Sequence, residues 1–294
     1  MAYETITVTP VGSSLGARVD GMELARGLDS RQIEELHQAL LEHQVLFMPA
    51  QDIDDDAQIA LARTFGEPHP HPVGAFLGDT SLMGNVATDD YRPGIDSHFH
   101  TDYTFHTEVP DVAVLRAVVV PGHGGDTMWA NACDAYDALS APMREFLDGL
   151  DAFHSQGPIF NDIIIRRFGE EAGRPILDAF PGATHPMVTT HPGTGREALF
   201  VNQGYTRSVV GLTAAESDAL LAFLFAHMSS PRFVCRYRWS VGDIAIWDER
   251  ATVHMGEGTY WPAERLMRRI TAGSAAPNAA PRARGQEPGL TTTT

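Results

Sequence analysis

The sequence predicts a mainly β domain with helical insertions, a sandwich or jelly roll, on three observations. Short apolar or alternating runs recur along the chain, separated by glycine- and proline-rich turns. Two capping boxes, Asp29-Ser-Arg-Gln32 and Thr213-Ala-Ala-Glu216, open helices between those runs. There is no internal repeat, and 294 residues, 43% of them hydrophobic, suffice for a substantial core without disulfides.

Taken in order, ITVTPVGSSLGARVDG alternates around glycines and reads as a strand pair. The helix after Asp29 carries Ile33, Leu36 and Leu40 on one face, and Val45-Leu-Phe-Met48 reads as a buried strand. Asp54, Asp55 and Asp56 sit at the positive end of a second helix, which carries Ile59, Leu61 and Phe65 and stops at Gly66. Val112–Leu115 and Ala117–Val120 read as strand, and Asp134 to Leu150 mostly as helix. Residues 155–180 carry the weakest pattern of the chain. Met187–Thr190 and Ala198–Val201 flank His191-Pro-Gly-Thr-Gly195, a hairpin signal. The Thr213 box opens a helix with Leu220, Leu221, Phe223 and Leu224; Arg232 to Trp239, Asp243-Ile-Ala-Ile-Trp247 and Leu266–Thr271 read as strands. From Gly273 the chain is Ala, Pro, Gly and Arg, ending in four threonines. One domain is therefore expected over residues 1–273, with a disordered tail over 274–294.

A formal net charge of −17 disfavours nucleic acid and anionic membrane as partners. It leaves room for a small anionic substrate, because a local arginine cluster can dominate inside a pocket. No leader-like start and no run of about 20 apolar residues occurs, so a cytoplasmic protein is expected. Cys133 and Cys235, far apart and without metal-like spacing, read as thiols in a reducing compartment. Assembly into a homo-oligomer stays open.

Histidines cluster at 98, 100 and 106, within His98-Phe-His-Thr-Asp-Tyr-Thr-Phe105. Residues i and i+2 of a strand share a face, so His100 and Asp102 can bind one metal together. His98 shares that face and is the competing ligand. Trp247-Asp-Glu-Arg-Ala-Thr-Val-His254 offers His254 just after a buried strand. Two histidines and one carboxylate on one face leave coordination positions open, the arrangement of iron(II) oxygenases. Arg265 and Arg269, four apart, follow His254, and a guanidinium fork matches a carboxylate or sulfonate. Surface salt bridges are the plainer reading of two arginines in an acidic protein.

The segments LGARVDG, HQVLFMPAQ, FGEPHPHPV, HTDYTF, PGHGGDTMWAN, YDALS, HPMVTTHPGTGREALFVNQG, LLAFLFAH, GDIAIWDERATVH and RLMRRIT together resemble the taurine dioxygenase family of Fe(II)/2-oxoglutarate enzymes, from Thr7 to about Thr271. That resemblance implies a double-stranded β-helix (jelly-roll, cupin-like) core with His100, Asp102 and His254 as iron ligands. It implies that Thr127 and Arg265 hold 2-oxoglutarate, with O2 as the other co-substrate. It also implies that His71 and Arg269 read the substrate anion, with Phe160 as an aromatic wall. Three positions depart from the taurine pattern: Gly74 replaces a tyrosine, Asp96 an asparagine and Tyr103 a valine. The anion end of the site is thus kept and the amine end rebuilt.

The expected activity is hydroxylation of a small anionic substrate, foremost a sulfonate such as taurine or a bulkier relative, releasing sulfite and an aldehyde. Alkyl sulfates and phenoxyalkanoates are the alternatives within the family. A non-catalytic cupin-like metal-binding protein and a zinc hydrolase are alternatives of other classes.

Overall fold

The computed structural model describes residues 3–87 and 98–280. Its largest sheet has eight strands. From one edge they run Thr7–Pro10, Ala17–Asp20, Val45–Met48, Ile244–Asp248, Val112–Val119 and Leu266–Ala272; Pro68–His69 and Gly84–Ala87 both pair with the last. All neighbours are antiparallel except Ala17–Asp20 with Val45–Met48. Across the interior lies a three-stranded sheet of Val234–Tyr237, Thr127–Asn131 and Thr252–Gly256. A second three-stranded sheet (Asp151–His154, Ala183–Pro186, Thr206–Val209) and the expected hairpin, Val188–Thr190 with Glu197–Leu199, complete the β structure. The result is a mainly β, jelly-roll architecture with helical insertions.

Side-chain alternation divides the core. Ile244 and Ile246 pack outward with Leu36, Leu40 and Leu61, on the helices Ser30–His43 and Asp55–Arg63. Ala245 and Trp247, one residue out of phase, face inward against Phe47 and Trp129. Val112 and Val114 likewise face out, and Ala113 and Leu115 face in. A strand apolar on both faces is thus covered on both, which is why Asp243–Trp247 reads as a continuous run. Both capping boxes form, Asp29 accepting from the Gln32 amide at 2.8 Å and Thr213 from Glu216 at 3.4 Å.

Residues 157–179 form one helical stretch interrupted at Gly169, whose φ of 77° no right-handed helix contains. That break splits the apolar periodicity and explains the weak sequence pattern there. The expected tail needs a correction over residues 274–280. Val109 and Ala275 exchange backbone hydrogen bonds at 3.0 and 3.1 Å, and Thr190 donates to the Asn278 carbonyl at 2.9 Å. Ala280 donates to Val188 at 3.1 Å. Backbone pairing of this kind needs no particular side chains, so composition cannot reveal it. Residues 281–294 lie outside the described part. Among the described residues no helix is long and apolar enough to cross a membrane. Cys133 and Cys235 are buried free thiols, which burial pushes up to about 12 and about 11.

Candidate active site

His254 lies on the inner strand Thr252–Gly256, directly opposite Trp129. Its backbone exchanges two hydrogen bonds with His100, at 2.7 and 2.9 Å. The strand expected to carry His98, His100 and Asp102 is confined to that one bridge. The chain then turns, and Tyr103 adopts a left-handed φ of 57°, uncommon for a bulky residue. The i, i+2 argument therefore places His100 and Asp102 together through a bridge followed by a turn. Gly204 packs so closely behind His100 that a side chain would put its Cβ 2.7 Å from the histidine's own.

The ligand-capable atoms of His100, Asp102 and His254 lie within 4.8 Å of one another. Asp102 Oδ1 is 3.7 Å from His100 Nε2 and 3.9 Å from His254 Nε2. Among the described residues Asp102 Oδ2 is buried without a hydrogen-bond partner, a costly state for a carboxylate that a cation would relieve. His100 Nδ1 lies 3.0 Å from the His98 carbonyl; donating there leaves Nε2 as the basic nitrogen facing Asp102. His98 itself is exposed and contributes its carbonyl, not its ring. Two imidazoles and a carboxylate, oxygen and nitrogen donors on one side of a buried centre, fit Fe(II).

Arg268 and Arg269 are separated by strand parity. Arg268 faces outward and pairs with Asp55 and Asn85. Arg269 faces inward, donating to Asp102 Oδ1 at 3.0 Å and to the Tyr103 hydroxyl at 2.9 Å. Burial works against the Asp102 charge, but Arg269, His254, His100 and His71 outweigh it and hold the carboxyl below its usual range. Burial pushes the Tyr103 phenol up to about 12, so it keeps its proton at neutral pH.

Arg265 is buried just before the same strand, its Nε donating to the Gly125 carbonyl at 3.1 Å. Thr127 is buried two residues beyond Gly125, and its hydroxyl accepts from the Trp239 indole at 2.9 Å. His71 caps the helix Pro72–Phe76, Nδ1 accepting from the Val73 amide at 3.2 Å, while its ring meets Tyr103 edge-on at 5.1 Å. In the neutral ring that bond puts the proton on Nε2. Phe160 packs against a satellite core of Val73, Ile164 and Ile176. Asp96 lies outside the described residues.

Sequence reasoning missed the supports of this centre. The Thr104 hydroxyl is 3.0 Å from His154 Nδ1 and accepts from Asn202 at 3.1 Å; its carbonyl is 2.8 Å from His185 Nε2. Burial, aided by His185 and Arg207, pushes His154 down to about 3, so the ring is neutral. Glu249 is fully buried beside Asp102 and His254; burial and then the Asp102 carboxylate push its acid well above the usual range. A charged residue inside Trp247-Asp-Glu-Arg250, right after a buried strand, was the available signal.

A jelly roll that presents two histidines and an aspartate to one buried point, with Arg269 reaching the aspartate from the strand Leu266–Ala272, has the form of a mononuclear non-haem iron oxygenase. The comparison with known proteins gives the particular lineage. The chain belongs to the taurine catabolism dioxygenase TauD, TfdA family, whose model matches residues 7–271. It is 34% identical to an α-ketoglutarate-dependent sulfate ester dioxygenase of Pseudomonas putida, over 92% of this chain and 91% of the relative. It is 33% identical to an α-ketoglutarate-dependent 2,4-dichlorophenoxyacetate dioxygenase of Cupriavidus pinatubonensis, over 91% and 97%. A crystal structure of a taurine dioxygenase from Burkholderia xenovorans superposes with a TM-score of 0.77 at 31% identity, covering 93% of each chain. The protein is thus a 2-oxoglutarate-dependent dioxygenase, requiring Fe(II) and O2.

Proposed function

We propose that His100, Asp102 and His254 hold Fe(II), that Arg265 and Thr127 hold 2-oxoglutarate, and that the substrate is an organic sulfonate or sulfate ester. The observation that carries the metal assignment is the Asp102 carboxylate, with Oδ1 near both histidine Nε2 atoms and Oδ2 buried without a partner among the described residues. When bound, the iron supplies O2 activation, coupling decarboxylation of 2-oxoglutarate to succinate with oxidation of a substrate C–H. The protein's part is to hold that C–H still, since a misplacement of about 1 Å can cost on the order of 100-fold in rate.

Three donors near Asp102 support the substrate class. Arg269 carries a guanidinium fork; the Tyr103 hydroxyl accepts from Arg269 and keeps its own proton to give; His71 presents Nε2. Such a set suits three tetrahedral oxygens better than a planar carboxylate, which one arginine satisfies. Hydroxylation at the carbon bearing the sulfur group yields an aldehyde with sulfite from a sulfonate, or with sulfate from an ester. The sulfate ester relative favours the second product, and the phenoxyacetate relative keeps a carboxylate substrate as the alternative. The cytoplasm is proposed as the compartment, supported by the two buried thiols.

The test is a panel of alkylsulfonates, alkyl sulfates and phenoxyacetates, scored by substrate-dependent succinate with sulfite, sulfate and phenol measured in parallel. Sulfite or sulfate release is expected. Phenol release without either would move the protein to the carboxylate branch.

A further inference from the structure

Glu249 serves two of the three ligand positions at once. Its Oε2 accepts from the Asp102 backbone amide at 3.0 Å, and its Oε1 accepts from the Trp247 indole at 2.8 Å. The Trp247 ring packs on the His254 ring, centroids 4.8 Å apart, and Oε1 also lies 4.0 Å from His254 Nδ1. One carboxylate therefore fixes the main chain of one ligand and the packing partner of another.

The turn that carries Glu249 is itself braced. Asp248 accepts from His191 at 2.9 Å and from Arg250 at 2.7 and 2.9 Å, and the Glu249 amide donates to the Asp111 carbonyl at 2.9 Å. The Thr101 hydroxyl donates to the Thr252 carbonyl at 3.0 Å, tying the residue before Asp102 to the same turn. A buried carboxyl is an expensive group to keep for packing alone, because both of its oxygens need hydrogen-bond partners in the interior and an apolar side chain would need none.

We propose that Glu249 is the positioning residue of the metal centre, setting through Asp102 and Trp247 the directions in which Asp102 and His254 present their ligand atoms. The inference rests on the ligand set proposed above. Both of its partners can only donate, so both oxygens must accept together. Glutamine has the same shape but replaces one acceptor with an NH2, which must oppose either the Asp102 amide or the indole N–H.

Glu249→Gln should therefore stay folded and weaken Mn(II) binding by about 10–100-fold, the usual effect of losing a group that orients a metal ligand. Free Mn(II) is read by electron paramagnetic resonance, and the visible spectrum of the Co(II) form should shift. Trp247→Phe combined with Glu249→Gln should recover most of the affinity, because removing the indole N–H lets the amide oxygen turn to Asp102. Asp102→Ala and His254→Ala serve as controls; if they still bind Mn(II) normally, the ligand set itself is wrong. With those controls lost as expected, an unchanged Mn(II) affinity and Co(II) spectrum in Glu249→Gln would overturn the role of Glu249. So would a variant that circular dichroism shows unfolded, or a double variant without recovery.

Discussion

His254 is carried by a strand whose five residues each face a partner on Thr127–Asn131, whereas His71 is carried by the N-cap of a five-residue helix. The first sits among Trp129 and Trp247, both fully buried. The second rests on a satellite core of Val73, Ile164 and Ile176, beside a helical stretch broken at Gly169. Phe76 and Leu77, next to it, are about half exposed. Strand pairing fixes the interior to within the error of a hydrogen bond, and the rim is held by fewer contacts. Chemistry at a metal needs the first kind of support. Choice among substrates can live on the second, where a change of side chain disturbs little else.

The largest expected effect tests the interior. His100→Ala, Asp102→Ala and His254→Ala should each abolish succinate formation, while His98→Ala keeps the metal; iron content by mass spectrometry decides, and a His98 variant that alone loses iron overturns the assignment. Arg265→Ala comes next. Removing one partner of a buried charged pair costs about 3–5 kcal/mol, so the 2-oxoglutarate concentration for half-maximal turnover should rise at least about 100-fold. An unchanged requirement would place the co-substrate elsewhere.

At the rim the effects should divide by ligand. His71→Ala should raise KM for the sulfonate or sulfate ester by about 10-fold, the value of about one charge-assisted hydrogen bond, and leave 2-oxoglutarate unaffected. Equal effects on both would make His71 a structural cap alone, the role its bond to Val73 already gives it.

Acid stability should report the support behind the motif. His154 is neutral in the fold with its pKa down at about 3, so its contribution is present above pH 6.5 and is lost as pH falls from 6.5 toward 3. His154→Asn should flatten urea-denaturation stability across that range. A wild-type pH slope in the variant would show that other groups carry it.

The smallest effect is also the sharpest contrast. Arg268→Ala removes a partly exposed ion pair with Asp55 and should cost about 1 kcal/mol of stability with turnover intact. Arg269→Ala, one residue on, should lose turnover and, by leaving the buried Asp102 carboxylate without its cation, cost more stability, about 3–5 kcal/mol. Matching phenotypes would mean that strand parity does not separate the two.

The sequence alone determined the strands and helices whose signals are local. Capping boxes, the apolar run Asp243–Trp247 and the hairpin at His191–Gly195 follow from side-chain chemistry within a few residues. It also yielded the His-x-Asp pair and a distant histidine, because ligand types and spacing are written directly in the chain. Only the tertiary structure decided what those residues touch. That Arg269 meets Asp102, 167 positions away, depends on which strand lies beside which. That Glu249 accepts from both Asp102 and Trp247 depends on a turn braced by Asp111, His191 and Arg250. That residues 274–280 run along the body depends on backbone groups left open by other strands. Long-range pairing is set by the summed burial and hydrogen bonding of the whole chain, and no local window of sequence contains that sum.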